Sequence, residues 1–269
     1  MPNAALPGRK PLDTAAGLRD PGAMESNDIW DAETARSYDT PGQGMFAPEV
    51  LDPTIDRLAE LAEGGRALEF AIGTGRVGVP LAERGVPVTG IELSPDMIAQ
   101  LRTKVDESAL PVLEGDMTTV RAPGEFHLAY LVFNTIANLL TQDQQVECFR
   151  NAARHLVPGG RFVIELWVPE LRALPPGRKA TVGVVEDGYV LLDTYDTLNQ
   201  HVVSHHFTFD ETRRARLDRT PHRYIWPSEL DLMARIAGFE LESRHADWQG
   251  GEFTADSPYH VSVYRIPVD

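Results

Sequence analysis

Between residues 66 and 168 short apolar runs alternate with amphipathic segments, and this alternation constrains the fold more than any other feature of the chain. RALEFA (66–71) reads as a strand followed by a glycine turn, and VGVPLAERG (77–85) as a helix stopped by Gly85. PVTGIEL (87–93) is the next strand. Ser94-Pro95-Asp96 then opens the helix MIAQLRTKV, with the serine as N-cap and the proline in the first turn. PVLEGD (111–116) is a short strand, and FHLAYLVF (126–133) is apolar enough for a central strand buried on both faces. QDQQVECFRNAARHL (142–156) is an amphipathic helix that Pro158-Gly159-Gly160 turns into the strand RFVIELWV (161–168). Strands separated by helices must be joined by crossovers, which predicts an α/β fold: a mostly parallel sheet with helices on both faces.

After Pro175-Pro176 the pattern changes. Residues 180–185, 189–197, 201–209 and 215–225 read as strands joined by turns too short for anything but antiparallel neighbours. A helix over 228–238 and strands over 239–245 and 259–266 close the chain. Upstream, Val50, Ile55, Leu58 and Leu61 recur at helical spacing within a helical stretch from Asp28 to Leu61, ended by Gly64-Gly65. Residues 1–24, rich in Pro, Gly and Ala, are expected to be a disordered tail. Residues 25–269 then form one domain, with a core over 62–170 and 226–269 and an antiparallel flap over 178–225.

Charge and cysteine usage narrow the partners. A net charge of -15 runs against binding nucleic acid, whose phosphates call for a basic patch. The basic stretch TRRARLDRTPHR (212–223) reads as a solvated strand face. No apolar stretch is long enough to span a bilayer, and the N-terminus lacks the apolar core of a signal peptide. The single cysteine, Cys148, allows no intrachain disulfide and no cysteine-based zinc cage. A cytoplasmic protein without membrane or nucleic-acid partners is expected, as a monomer or homodimer. His201, His205 and Asp193 could approach a metal, but no spacing requires one.

The first strand runs into Gly73-Thr74-Gly75-Arg76-Val77-Gly78, a G-x-G-x-x-G turn that permits close approach of a ligand to the backbone. Alone it fits an NAD(P)-dependent oxidoreductase. Glu69, inside that strand, shifts the balance, because a carboxylate there would repel a pyrophosphate and welcome the ammonium and sulfonium of S-adenosylmethionine. Glu92, ending the second strand, can accept hydrogen bonds from ribose hydroxyls. Asp116, ending the third, can accept one from an adenine amino group, with Met117 packed on the ring. These acids all fall at the carboxyl edge, where open α/β sheets bind ligands.

Taken together, ALEFAIGTGRVGVPLA, GIELSPDMIAQLR, EGDMTTV and HLVPGGRFVIEL resemble the motifs of class I S-adenosylmethionine-dependent methyltransferases, over residues 66–168. The resemblance implies a Rossmann-like methyltransferase fold with S-adenosyl-L-methionine as cofactor. It implies that Glu69 and the backbone around Ala71, Gly73, Gly75 and Arg76 hold the methionine part. It places Glu92 on the ribose, and Asp116, Met117, Leu93 and Met97 around the adenine. Ala71 stands where the family's first motif glycine falls, which is tolerable at negative φ and implies a slightly tighter site. Ser37-Tyr38-Asp39 resembles an entry motif of amino-sugar and natural-product peptide methyltransferases, in which Tyr38 would close over the cofactor. RYIWPSELDLMARIAGFELE is similar to the tail of small-molecule N-methyltransferases whose antiparallel insertion covers the acceptor.

The expected reaction is methyl transfer to a small-molecule acceptor, an amine or a hydroxyl, by in-line displacement. Asn134, directly after the fourth strand, is a candidate to touch the methionine portion or the acceptor; it could equally cap TIANLL. Alternation puts His201 and His205 on one face of a flap strand and His206 on the other. His205 and His206 are the candidate bases. Trp167 is a candidate wall of the acceptor pocket. A non-catalytic cofactor-binding interaction protein on the same scaffold is the remaining alternative.

Overall fold

The computed structural model describes residues 30–268, so the tail expected over residues 1–24 lies outside the described residues. The first helix, α1 (Ala32–Tyr38), is capped by Asp31, whose Oδ1 accepts from the backbone N–H groups of Glu33 and Thr34 at 3.1 and 2.9 Å. The helical stretch expected up to Leu61 is broken: Pro41 and the left-handed Gly42 and Gly44 interrupt it, and a 3₁₀ turn (Gly44–Phe46) leads into α2 (Pro48–Ala62).

The alternating segment folds as β1 (Ala67–Phe70), α3 (Gly78–Glu83), β2 (Val88–Glu92), α4 (Pro95–Arg102), β3 (Val112–Glu114), β4 (Phe126–Leu131), α5 (Gln142–His155) and β5 (Leu156–Trp167). Ser94 caps α4 by accepting from Met97 N–H at 3.2 Å, and a capping box between Thr141 and Gln144 opens α5. Strand β5 starts earlier than the sequence predicts. Gly159, at φ +80°, makes its turn inside the strand, and the pairing with β4 shifts register there. The remaining elements are β6 (Ala180–Glu186), β7 (Tyr189–Asp196), β8 (His201–Phe209), β9 (Ala215–Arg223), α6 (Pro227–Ile236), β10 (Glu240–His245) and β11 (Tyr259–Arg265).

One sheet has the order β10-β11-β5-β4-β1-β2-β3, parallel from β5 to β3, with β11 and β10 added antiparallel at the other end. The order reverses between β1 and β4, which opens a crevice at their carboxyl ends. Two apolar clusters cover the two faces of this sheet. One is built on Phe70, Phe126, Phe149, Phe162 and Phe239, the other on Ile55, Leu58, Leu81, Tyr130 and Val163. Each such side chain contributes about 1.5–3 kcal/mol by leaving water, so the strand ends are held on a rigid base.

The second sheet, β6-β7-β8-β9, is fully antiparallel and stands over the carboxyl edge of the first. Its apolar contact with the core is small: Tyr195, Val202 and Tyr224 packed with Trp167, Leu171 and Leu174. A buried polar knot at the end of β9 adds the main anchor. Arg223 donates to Gln145 Oε1 at 2.5 Å, Gln200 Oε1 at 2.7 Å and Glu229 Oε1 at 2.7 Å. Among the described residues no helix is long and apolar enough to cross a membrane.

Candidate active site

A cavity of about 880 Å³ lies between the carboxyl ends of β1 to β5 and the inner face of the flap sheet. Every parallel strand contributes the residues that follow it: Ala71 and Gly73 after β1, Leu93 after β2, Asp116 and Met117 after β3, Phe133 and Asn134 after β4, Val168 after β5.

Glu92 organises the end of the cavity beside the glycine turn. Its Oε2 accepts from Gly73 N–H at 2.7 Å and its Oε1 from Ser94 N–H at 2.8 Å, which ties the glycine turn to the start of α4. Burial raises its pKa, and the backbone donors at Ser94, Gly73 and Leu93 work in the opposite sense. Asp116 keeps one oxygen on Thr118 N–H at 2.7 Å and lines the cavity beside Met117, Leu93 and Met97. Tyr38 reaches the cavity from α1, held edge-on between Trp30 and Phe46 with ring centroids 5.9 and 6.2 Å away.

Glu69, Gly75 and Arg76 do not line the cavity. Glu69 is 2% exposed and lies beneath the glycine turn, where it accepts from Tyr130 Oη at 3.0 Å. Its pKa is pushed up to about 8, chiefly by burial, against the lowering effects of Tyr130 and Arg76. Its carboxylate also meets the backbone N–H of Gly78, where any Cβ would sit 2.6 Å from Oε2. Glu69 therefore supports the turn from below rather than lining the cavity. Gly75 is needed for packing, because a Cβ there would meet Val79 and Leu101 at 2.8 and 2.9 Å. Arg76 donates to Met45 O at 3.3 Å and sits over the Phe133 ring at 5.4 Å. Ala71 adopts φ +51°, not the negative φ expected of an alanine: the turn keeps the left-handed geometry of a glycine despite the added methyl.

A second strained point follows β4. Phe133 and Asn134 are both left-handed, at φ +53° and +62°. Glu165 on β5 holds them: its Oε2 accepts from Phe133 N–H at 2.7 Å, its backbone carbonyl from Asn134 N–H at 3.2 Å, and its Oε1 from the Trp248 indole at 2.9 Å. Asn134 precedes the 3₁₀ turn Thr135–Asn138 without capping it through its side chain; its Oδ1 instead accepts from Trp167 N–H at 2.8 Å. Glu165 escaped the sequence reading, although a lone carboxylate in VIELWV was a usable signal.

The flap presents alternate residues to the cavity. Leu191, Asp193 and Tyr195 on β7 face it, with Val202, Ser204 and His206 on β8 and Thr220 and His222 on β9. The register makes rows across the sheet: Tyr195–Val202–His222, Asp193–Ser204–Thr220 and Leu191–His206. His206 faces the cavity with its Nδ1 bonded to Tyr189 Oη at 2.7 Å. Burial lowers its pKa, partly offset by Asp193 and Asp218. His205 points to the opposite face, bonded to Thr194 Oγ1 at 2.9 Å, and the structure does not bring it to the site. His222, missed in sequence, lines the cavity with its pKa pushed down to about 4 by burial. Among the described residues no group of three or more His, Cys, Asp or Glu is placed to hold a metal ion.

An open α/β sheet with a glycine turn, a carboxylate ending β2 and another after β3 defines a binding site for an adenosyl ligand at the switch point. Comparison with known proteins identifies the class. Residues 67–160 match the methyltransferase domain family. The CcbJ methyltransferase from Streptomyces caelestis is 35% identical, with a TM-score of 0.76 over 88% of this chain and 96% of that one. Cypemycin N-terminal methyltransferase from a Streptomyces species is 26% identical over 245 residues, 87% of this chain and 96% of the relative. The S-adenosylmethionine-bound structure of CalS10, an amino pentose methyltransferase from Micromonospora echinaspora, shares the fold at 21% identity, with a TM-score of 0.63 over 87% and 94% of the two chains. The chain belongs to the methyltransferase family. It is an S-adenosylmethionine-dependent enzyme, and the donor set of Glu92, Asp116 and the Gly73 turn fits that cofactor.

Proposed function

We propose that this chain methylates an amine nitrogen of a small natural-product molecule, with Glu92 and Asp116 holding the adenosine and the flap face holding the acceptor. The observation that carries the reading is the shared cavity: strand-end carboxylates on one side face a polar sheet face bearing His206 on the other. The relatives support it, since their names specify a peptide N-terminus and amino sugars as what they methylate.

The cofactor supplies an activated methyl group on a sulfonium, whose departure leaves a neutral thioether. The chain's task is to present a neutral nitrogen in line and to exclude water. His206 is the proposed proton acceptor. With Nδ1–H given to the Tyr189 oxygen, Nε2 keeps its lone pair and takes one proton from the acceptor ammonium. The freed nitrogen pair then forms the new N–C bond. Asn134 orders Trp167 through its backbone and so shapes the wall of the acceptor site.

Calorimetric titration with S-adenosylhomocysteine and, separately, with NADH tests the reading. Micromolar binding of the first alone is expected. Glu92→Ala should weaken it about 100-fold, since hydrogen bonds to a charged group are worth about 1.5–3 kcal/mol each. Binding of NADH but not S-adenosylhomocysteine would return the chain to the oxidoreductase alternative.

A further inference from the structure

The two ends of the cavity are built differently but carry the same sign. Its lining includes the carboxylates Glu92, Asp116, Glu170 and Asp193, and, among the described residues, no lysine or arginine. Arg76 lies behind Phe133 at the cofactor end, and Arg172 is turned outward, donating to Ala255 O at 2.6 Å. The two lining histidines, His206 and His222, both have lowered pKa values through burial, so they are neutral at neutral pH and offer no cation.

A phosphate or carboxylate entering the acceptor half would leave its hydration behind and find two carboxylates with no side-chain cation to pair with. A cation finds the opposite. Asp193 sits in the middle row of the flap face, with Ser204 beside it on β8 and Thr220 beyond on β9. Ser204 Oγ donates to Asp193 Oδ1 at 2.7 Å, which fixes the carboxylate, and Oδ2 has no hydrogen-bond donor among the described residues. Trp167, Tyr195 and Tyr259 also line the cavity, and aromatic rings attract a cation rather than an anion.

We propose that Asp193 anchors the acceptor's ammonium group, and that the acceptor is an amine bearing no phosphate or carboxylate, hence not a nucleotide-activated sugar. The proposal rests on the methyl-transfer reading above and narrows its substrate class. Asp193 selects and holds the charged amine one row away from His206, so the group that binds the ammonium and the group that takes its proton are distinct. The distinction matters because some relatives are named for dTDP-linked amino sugars, whose diphosphate would need the cations this cavity lacks.

The test compares two probes that share one amine. The methyl glycoside of 3-amino-3,6-dideoxyglucose and the thymidine-diphosphate form of the same sugar are titrated into protein saturated with S-adenosylhomocysteine. The glycoside is expected to bind at least tenfold more tightly. Asp193→Asn should weaken glycoside binding at least tenfold, leave S-adenosylhomocysteine affinity unchanged and narrow the gap between the probes; Asp193→Glu should recover part of the loss. Equal or tighter binding of the nucleotide sugar overturns the proposal, as does failure of both probes at millimolar concentration or an Asp193→Asn variant that binds the glycoside like wild type. A wild-type protein that does not bind S-adenosylhomocysteine would sink the methyl-transfer reading itself, which is a different outcome.

Discussion

The proposed cofactor end and the proposed acceptor end of one cavity are made by opposite structural means. At the cofactor end, recognition depends on where the backbone stops: five strand ends, a glycine turn and left-handed residues at Ala71, Phe133 and Asn134. Side chains there brace the loops, as Glu92 does through Gly73 and Ser94 and Glu165 through Phe133. The acceptor end depends on which side chains a regular sheet turns inward, and its backbone is ordinary antiparallel ladder. Changing one inward residue on the flap alters chemistry without disturbing geometry; changing a brace at the strand ends alters geometry first. An enzyme class can thus keep one cofactor while its acceptors diverge.

The sharpest way to separate the two ends is to loosen the joint between them. Arg223 is buried in the flap's polar knot, and its partner Glu229 is itself mostly buried. Burial alone would raise the Glu229 pKa, but the bonds from Arg223, Gln200 and Gln142 outweigh it and the net shift is downward. Arg223→Ala leaves Glu229 and Gln145 without their cation, a change that costs about 3–5 kcal/mol when one member of a buried pair is removed. Thermal unfolding should show an early loss of the flap. S-adenosylhomocysteine affinity, read by calorimetry below that transition, should change less than threefold. A parallel loss of cofactor affinity would show that the two ends are one unit.

The same contrast explains how much of the molecule was legible in sequence. The alternation from Arg66 to Trp167 predicted nearly every core element, because parallel strands buried on both faces have few other ways to read. The cavity-lining acids Glu92 and Asp116 could be found because strand ends are visible in sequence. The orientation of Glu69 could not: its distance from the glycines is the same whether its carboxylate points up into the cavity or down to Tyr130 and Gly78. Alternation correctly separated His205 from His206, but which face of the flap turns inward depends on how two sheets meet. That is a long-range fact absent from the local pattern, and it also hid His222 and the cavity-facing placement of Asp193.

A chemical test of the acceptor end follows from His206. His206→Gln keeps a polar side chain of similar reach and removes the base, so kcat for methylation of the amino glycoside should fall about 100-fold, within the usual range for a general base. Cofactor affinity should not move. The sign of the pH dependence follows from the lowered pKa: activity needs the neutral ring, so it is full above the folded pKa and falls as pH drops through it. The acidic limb of the kcat profile is therefore expected below 6.5, the ordinary histidine value, and should disappear in His206→Gln. A limb that survives the substitution would assign the proton to another group.

The smallest effect belongs to the cofactor end and tests whether its geometry is set by the backbone. Ala71 holds φ +51°, a conformation that costs an L-residue about 1–2 kcal/mol. Glycine removes that strain but loses about 0.5–1 kcal/mol through its freer unfolded chain. Ala71→Gly should therefore stabilise the protein by about 0.5 kcal/mol, a rise in Tm of about 1–2 °C for a domain of this size. The methyl borders the cavity, so its removal should also leave S-adenosylhomocysteine affinity equal to wild type or slightly tighter. Gly75→Ala is the opposite control: at φ +82° its new Cβ would press on Val79 and Leu101, and stability should fall. If Ala71→Gly instead lowered Tm, the methyl would be contributing packing that outweighs its strain. The cofactor end would then depend on side-chain fit as much as the flap does, and the contrast between the two halves would narrow.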